Sequence, residues 1–157
     1  MMRKLYSALA WIVAAGVVIQ AASIAFGFGG MVGYVMDGGV VDKALIESQE
    51  ATFTGDLGFP IHGIVGGLVL PVAGLALGIV SFFVRGVRRA RTLAWAVFVL
   101  IFVQGSAGYA IADVPYVGLF HGANALLILG LAVYAALQAS RAPDEATADA
   151  PSSSVLA

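Results

Sequence analysis

Long apolar runs dominate the chain, and its polar residues are gathered in the segments between those runs. Four runs, 5–28, 59–84, 92–112 and 116–139, are long enough to cross a bilayer, since about 20 helical residues cross about 30 Å of hydrocarbon. Lipid cannot hydrogen-bond an exposed backbone, and the runs lack the alternation that is typical of barrel strands. The pattern therefore predicts four transmembrane α-helices, called spans one to four below.

The connecting segments are an outer loop, a tight turn and a polar tail. The outer loop, 29–58, is long for a helix connection, and its part from Val40 to Glu50 predicts a short interfacial helix. The turn at 113–115 is so short that spans three and four must be antiparallel neighbours. The tail, 141–157, has too few apolar residues to fold, so we expect it to be disordered and cytoplasmic beside a bundle covering 1–140.

Composition strengthens the membrane interpretation. Hydrophobic residues make up 61 % of the chain and charged residues only 11 %, whereas soluble domains carry about 25 % charge. That much apolar surface requires the lipid bilayer as a partner and excludes a soluble enzyme, a nucleic-acid binder and a disordered chain. The chain has no cysteine, which excludes disulfides, zinc–thiolate sites and iron–sulfur clusters.

Lysine and arginine are distributed unequally between the two sides of the predicted bundle. The residues on one side are Arg3, Lys4, Arg85, Arg88, Arg89, Arg91 and Arg141. Only Lys43 lies on the other side, so the positive-inside rule predicts a multi-pass protein of the plasma membrane with both termini in the cytoplasm. The first apolar run is longer than the apolar core of a signal peptide, and we expect it to be retained.

Spans one and two resemble spans three and four in sequence. Three rarer elements recur in the same order. Leu-Ala-Trp-Ile-Val at 9–13 matches Leu-Ala-Trp-Ala-Val at 93–97, Gln20 matches Gln104, and His62-Gly63 matches His121-Gly122. Leucines and alanines at 68–76 continue the match with 127–135. Each two-helix unit begins and ends on the same side, which predicts two parallel repeats related by a pseudo-twofold axis along the membrane normal.

His62 and His121 are the two histidines of the chain, and they occupy equivalent positions near the outer ends of spans two and four. If both side chains face the interior, a metal on the pseudo-axis receives one imidazole from each side. Neutral imidazole is a common axial ligand of haem iron, whereas two imidazoles leave two positions of a tetrahedral zinc site unfilled. We therefore predict a haem with these histidines as metal ligands; the alternative is that both are interfacial hydrogen-bonding residues.

Five neighbouring residues complete the predicted cofactor site. Gly66 and Ala125 lie one turn below the histidines and leave space beside them for a flat ring. Gln20 and Gln104 are predicted about one turn deeper, where they either bond to each other between helices or support the axial histidines. Asn124 can do the same for His121.

These features resemble one four-helix half of haem A synthase, and also the small four-span bacterial membrane proteins of that pattern. The closest stretch is 104–133, with Gln-Gly-Ser-Ala-Gly, Val-Pro and Leu-Phe-His-Gly elements. The resemblance implies a haem-binding bundle in a bacterial inner membrane. Phe59, or Gly58 beside it, stands where the first half of the synthase typically has a carboxylate, and the cysteine pair of its outer loop is absent. The resemblance therefore does not imply oxidation of a haem methyl group.

The sequence as a whole predicts an all-α integral membrane four-helix bundle built from two parallel two-helix repeats. The predicted function is haem b binding for electron transfer or haem handling near the outer face, with a redox partner or a homodimer as the expected protein partner. No membrane-embedded carboxylate or cysteine is available as an acid, base or nucleophile, which argues against an enzyme. The alternative function is that of a non-haem interaction or assembly protein with structural histidines.

Overall fold

The computed structural model describes residues 1–48 and 50–142 of the chain. Its described residues form helices and no strand, and four helices are long and apolar enough to cross a membrane. The predicted all-α fold with four helices able to cross a membrane is therefore confirmed for the described residues. Residues 143–157, most of the predicted disordered tail, lie outside the described residues.

Each span corresponds to one helical stretch. Span one is α1 (Met2–Met36), and the short α2 (Lys43–Ser48) follows in the outer loop. Span two joins α3 (Gly58–Ile64), a π-helical turn (Val65–Val69), α4 (Leu70–Val80) and a 3-10 turn (Ser81–Phe83). Span three is α5 (Ala90–Ala110), and span four is α6 (Val117–Arg141).

The four spans follow one another around the bundle. α1 packs against α3 and α4 on one side and against α6 on the other, and α5 packs against α4 and α6. Spans two and four therefore lie diagonally opposite each other. This order places side chains from the two histidine-bearing spans across the centre of the bundle.

The end of the bundle that carries the chain's first residues and the 84–89 turn, called the basic end here, is closely packed. Its core consists largely of small residues, including Ala10, Ala14, Ala94, Ala132, Ala135 and Ala136. Small side chains let membrane helices approach closely. Polar contacts also join helices here. The Tyr6 hydroxyl donates to the Ala90 carbonyl oxygen at 3.0 Å, and the Ser7 hydroxyl lies 3.2 Å from the Ala136 carbonyl oxygen and 3.1 Å from the Ser140 hydroxyl.

At the opposite end, called the loop end, the backbone of the outer loop rests directly on α1. A Cβ at Gly30 would lie 1.6 Å from the Thr54 carbonyl oxygen, and one at Gly58 would lie 2.2 Å from that of Ser23. Gly55, between them, has a φ of +103°. Only glycines permit this backbone-to-backbone contact. The contact fixes where α3 begins and so helps to place His62.

α1 continues well beyond the predicted end of span one at Phe28, since it ends at Met36. Tyr34, in this added part, stacks on Phe53 of the outer loop with ring centroids 5.6 Å apart. These contacts outweigh the poor helix propensity of the glycines in this part of α1. α2 lies inside the segment for which the short helix was predicted, and Asp42 accepts a hydrogen bond from the Leu45 amide at its start.

Candidate functional site

His62 and His121 lie side by side at the loop end of the bundle. Their ring centroids are 6.3 Å apart and their ring planes are inclined at 43°. Both residues are half-buried. His62 comes from α3 and His121 from the first turns of α6, so the diagonal arrangement of spans two and four brings the two imidazoles together.

Each histidine forms a reciprocal pair of hydrogen bonds with the glutamine of the preceding span. The Gln20 amide nitrogen donates to the His62 carbonyl oxygen at 2.7 Å, and Nδ1 of His62 lies 3.0 Å from the Gln20 carbonyl oxygen. The Gln104 amide donates to the His121 carbonyl at 2.9 Å, and Nδ1 of His121 lies 3.1 Å from the Gln104 carbonyl. The same pair of hydrogen bonds therefore occurs twice, once between spans one and two and once between spans three and four.

These contacts determine which imidazole nitrogen carries the proton in the neutral ring. A backbone carbonyl oxygen only accepts hydrogen bonds, so Nδ1 of each histidine must be the donor. The Nε2 atom of each neutral ring then keeps its lone pair, and no hydrogen bond to Nε2 forms among residues 1–48 and 50–142. A neutral imidazole whose other nitrogen donates to a carbonyl is the usual state of a metal-binding histidine.

The separation of the rings fits one metal ion between them. Metal–nitrogen bonds of about 2 Å on both sides of one metal put the centroids of two imidazole rings about 6 Å apart. The observed separation is 6.3 Å. The two imidazoles are therefore close enough to be ligands of the same metal.

The glutamines act differently from the prediction. They lie level with the histidines, since each bonds to a histidine in both directions, and they are not one turn deeper. The amide of each glutamine binds a backbone carbonyl, while the imidazole is held by the carbonyl of the glutamine backbone. Neither proposed role, a glutamine–glutamine bond or an amide that supports the imidazole, describes these contacts.

Asn124 is buried and belongs to the glutamine network. Its amide donates to the Gln104 side-chain oxygen at 2.7 Å and to the Leu100 carbonyl at 3.0 Å. It thus supports His121 only through Gln104. Val65 stands at the matching position of span two and offers no donor, so the Gln104 amide is held more firmly than the Gln20 amide.

The predicted space at Gly66 is filled by a side chain of the same protein. A Cβ at Gly66 would lie 3.0 Å from the Gln20 side-chain oxygen, so this glycine admits the amide that binds His62. Ala125, the counterpart in span four, is half-buried. Sequence reasoning missed Gly108 of span three, where a Cβ would lie 3.2 Å from Cε1 of His121. Its place one turn beyond Gln104 is the only sequence signal that could have found it.

α3, which carries His62, packs on fewer helices than α4. It packs on α1 and has at most minor contact with α5 or α6, whereas α4 packs on both α1 and α5. On α5, the Tyr109 side chain is 85 % exposed, and its hydroxyl lies 4.0 Å from the position of a Cβ at Gly67.

The donor set of the site consists of two nitrogen ligands. Within the described residues, no group of three or more His, Cys, Asp or Glu side chains is close enough to hold a metal ion. A bare zinc or calcium ion needs more ligands than this pair offers. Haem iron needs only axial ligands from the protein because the macrocycle supplies the others.

Comparison of the chain with protein-family models, with curated proteins and with solved structures found no match.

Proposed function

We propose that this integral membrane protein binds one b-type haem between His62 and His121 and serves in electron transfer or haem handling near the outer face of a bacterial inner membrane. The observation that carries the proposal is the pair of imidazoles 6.3 Å apart, each held at Nδ1 by a backbone carbonyl. A bound haem supplies a one-electron redox centre. The resemblance to half of haem A synthase agrees with this function.

The residues of the chain contribute position, tautomer and shielding. The carbonyl groups of Gln20 and Gln104 orient the imidazoles and fix the tautomer in which Nε2 is free to bind iron. His62 and His121 would hold the haem iron from the protein side, and a haem held by two histidines would supply one-electron transfer rather than the binding of oxygen or another small molecule.

The proposal includes the two parallel repeats. Every buried residue of span three lies 84 positions after a buried residue of span one, and the pairs are Tyr6 with Ala90, Ala10 with Ala94, Val13 with Val97, Val17 with Ile101, and Ser23 with Ala107. Gln20 and Gln104 have the same offset. Equivalent burial in spans one and three, together with the repeated Gln–His bonds, supports a pseudo-twofold axis that passes between the histidines.

The absorption spectrum of the protein purified in mild detergent tests the proposal. Wild-type protein produced with ample haem is expected to show the sharp paired visible bands of a reduced low-spin b-type cytochrome and to bind carbon monoxide poorly. His62→Ala and His121→Ala should each lose haem or expose one axial position to carbon monoxide. Colourless wild-type protein, with both variants as stable as wild type, would overturn the proposal.

A second variant separates a cofactor site from helix packing. Gly66→Leu places a side chain where the Gln20 side chain lies, and this should push α1 away from span two. The Gln20 carbonyl then moves off Nδ1 of His62, which should reduce haem content while both histidines remain. Gly130→Leu in span four is the matched control, because that glycine is exposed and has nothing within 4 Å of its Cβ position. Equal haem content in the two variants would contradict the proposed site.

The second candidate is a four-span interaction or assembly protein with structural histidines. Two observations favour it: a centroid distance of 6.3 Å is also within the range of ordinary ring packing, and no buried side-chain nitrogen or oxygen of the described residues lacks a hydrogen bond. In this function the Gln–His bonds only join neighbouring helices. It predicts unchanged oligomer or complex formation in haem-depleted cells, which native gel electrophoresis can measure.

A further inference from the structure

Span two contains a helical irregularity that span four lacks. Residues Val65–Val69 form a π-helical turn in which the Leu70 amide donates to the Val65 carbonyl five residues earlier, whereas α6 is α-helical from Val117 to Arg141. A π-turn accommodates one residue more than an α-helical turn and is often found near functional sites. The turn begins three residues after His62.

The pattern of buried residues marks the extra residue. On the basic side of the turn, five of the six buried residues of span two recur 58 positions later in span four, as the pairs Leu70 with Ile128, Gly74 with Ala132, Leu77 with Ala135, Gly78 with Ala136, and Ser81 with Ala139. The exception is Ala73, since Leu131 is only half-buried. On the loop side, His62 and His121 are 59 positions apart and make equivalent bonds. The alignment of 68–76 with 127–135 keeps the offset of 59 beyond the turn, whereas the buried residues in that part of the two spans follow an offset of 58.

We propose that this π-turn is a positioning device that rotates the outer part of span two so that His62 faces His121. The role as a positioning device for haem rests on the proposed function, but the rotation itself does not. In a continuous α-helix with the same packing of α4, His62 would be turned by about 100° and shifted by about 1.5 Å. The imidazole would then leave the Gln20 carbonyl and the opposite ring.

Pro71 offers a simpler reason for the turn, since proline lacks an amide donor and disturbs the preceding helical turn. Pro71 stands just inside the start of α4. However, the chain length between His62 and Leu70 is unchanged by substitution at position 71. The π-turn is held at its two ends by the Gln20–His62 bonds and by the buried face of α4, and should persist in Pro71→Ala.

Deletion of Gly67 tests the proposal because it removes one residue from the turn without removing a packed side chain. We expect the deletion variant to lose the low-spin spectrum. Insertion of one alanine after Leu68 should restore the spectrum in this variant. Insertion of the same alanine after Ser81, on the far side of α4, should not. Restoration by both insertions, or a wild-type spectrum in the deletion variant, would overturn the proposal.

A cross-link measures the rotation without haem. The chain has no cysteine, so His62→Cys with His121→Cys gives a single thiol pair for a short bifunctional reagent. The pair should cross-link in the chain of full length and in Pro71→Ala, and in the Gly67 deletion it should fall to the level of a single-cysteine control. Colourless wild-type protein with this cross-linking pattern would refute haem binding and keep the rotation. Equal cross-linking with and without Gly67 would refute the rotation. Loss of cross-linking in Pro71→Ala would support the rotation but assign the turn to the proline rather than to the packing at its two ends.

Discussion

Replacement of the two glutamines by methionine should lower stability unequally and leave the haem spectrum unchanged. Methionine has the length of glutamine but no amide. Gln20→Met removes one interhelical hydrogen bond, the 2.7 Å bond to the His62 carbonyl. Gln104→Met removes two, the 2.9 Å bond to the His121 carbonyl and the 2.7 Å bond from Asn124.

The magnitude follows from the modest strength of such bonds in membranes. Interhelical hydrogen bonds contribute about 0.6 kcal/mol on average, with a maximum of about 1.7 kcal/mol, because the unfolded chain in the membrane also finds partners. We therefore expect a loss of about 0.6 kcal/mol for Gln20→Met and about 1.2 kcal/mol for Gln104→Met. The imidazoles should stay in place, since their partners at Nδ1 are backbone carbonyls that both substitutions retain.

The measurement is reversible unfolding in mixed micelles by titration with a denaturing detergent, at equal haem excess for all variants. The visible spectrum of the same samples gives the ligation. An equal or greater loss for Gln20→Met than for Gln104→Met would refute the assignment of the Asn124 contact. A shift of either variant to a high-spin spectrum would show that the amide, and not the backbone carbonyl, holds the imidazole.

Three further predictions concern the imidazole of span four, the outer loop and the topology. Gly108→Leu should push this imidazole aside and reduce haem content, as read from the absorbance ratio of haem to protein, whereas Gly130→Leu should not. Gly30→Ala should cost about 1–3 kcal/mol in the same unfolding assay because its Cβ meets the backbone of the outer loop, and Gly29→Ala, which meets nothing within 4 Å, should be nearly neutral. A reporter that is active only in the cytoplasm should be active when it is fused at Arg89. External labelling at that residue would reverse the predicted orientation.

The sequence predicted the spans and the main residues of the site for simple reasons. Apolar runs of sufficient length are readily recognised, and only helices satisfy the backbone in lipid. The recurrence of glutamine and histidine identified four residues that the fold brings into contact, His62, His121, Gln20 and Gln104. Their pairing was not predicted, because the depth of a side chain depends on how two helices are shifted along each other, and the apolar pattern does not determine this shift.

Other features arise from tertiary contacts that no local pattern encodes. The outer loop was predicted to begin at residue 29, yet α1 continues to Met36 because the outer loop packs on it. Gly66 was assigned to a cofactor space that the Gln20 amide fills. The π-turn was missed because the identities at 68, 70, 73 and 76 keep the offset of 59 beyond the turn, so only the pattern of buried residues reveals the change to 58.

The length of α1 has a consequence for the choice of membrane. A helix of 35 residues is about 52 Å long, while the hydrocarbon layer is about 30 Å thick. Arg3 and Lys4 favour the headgroup region at one end, so the surplus length lies at the other end, where Val32, Val35 and Met36 are exposed. These apolar side chains favour lipid over water. A tilted helix or a locally thickened bilayer brings more of them into contact with the hydrocarbon layer. Hydrophobic mismatch therefore makes the stability of the bundle dependent on lipid chain length, with longer acyl chains favouring the folded protein.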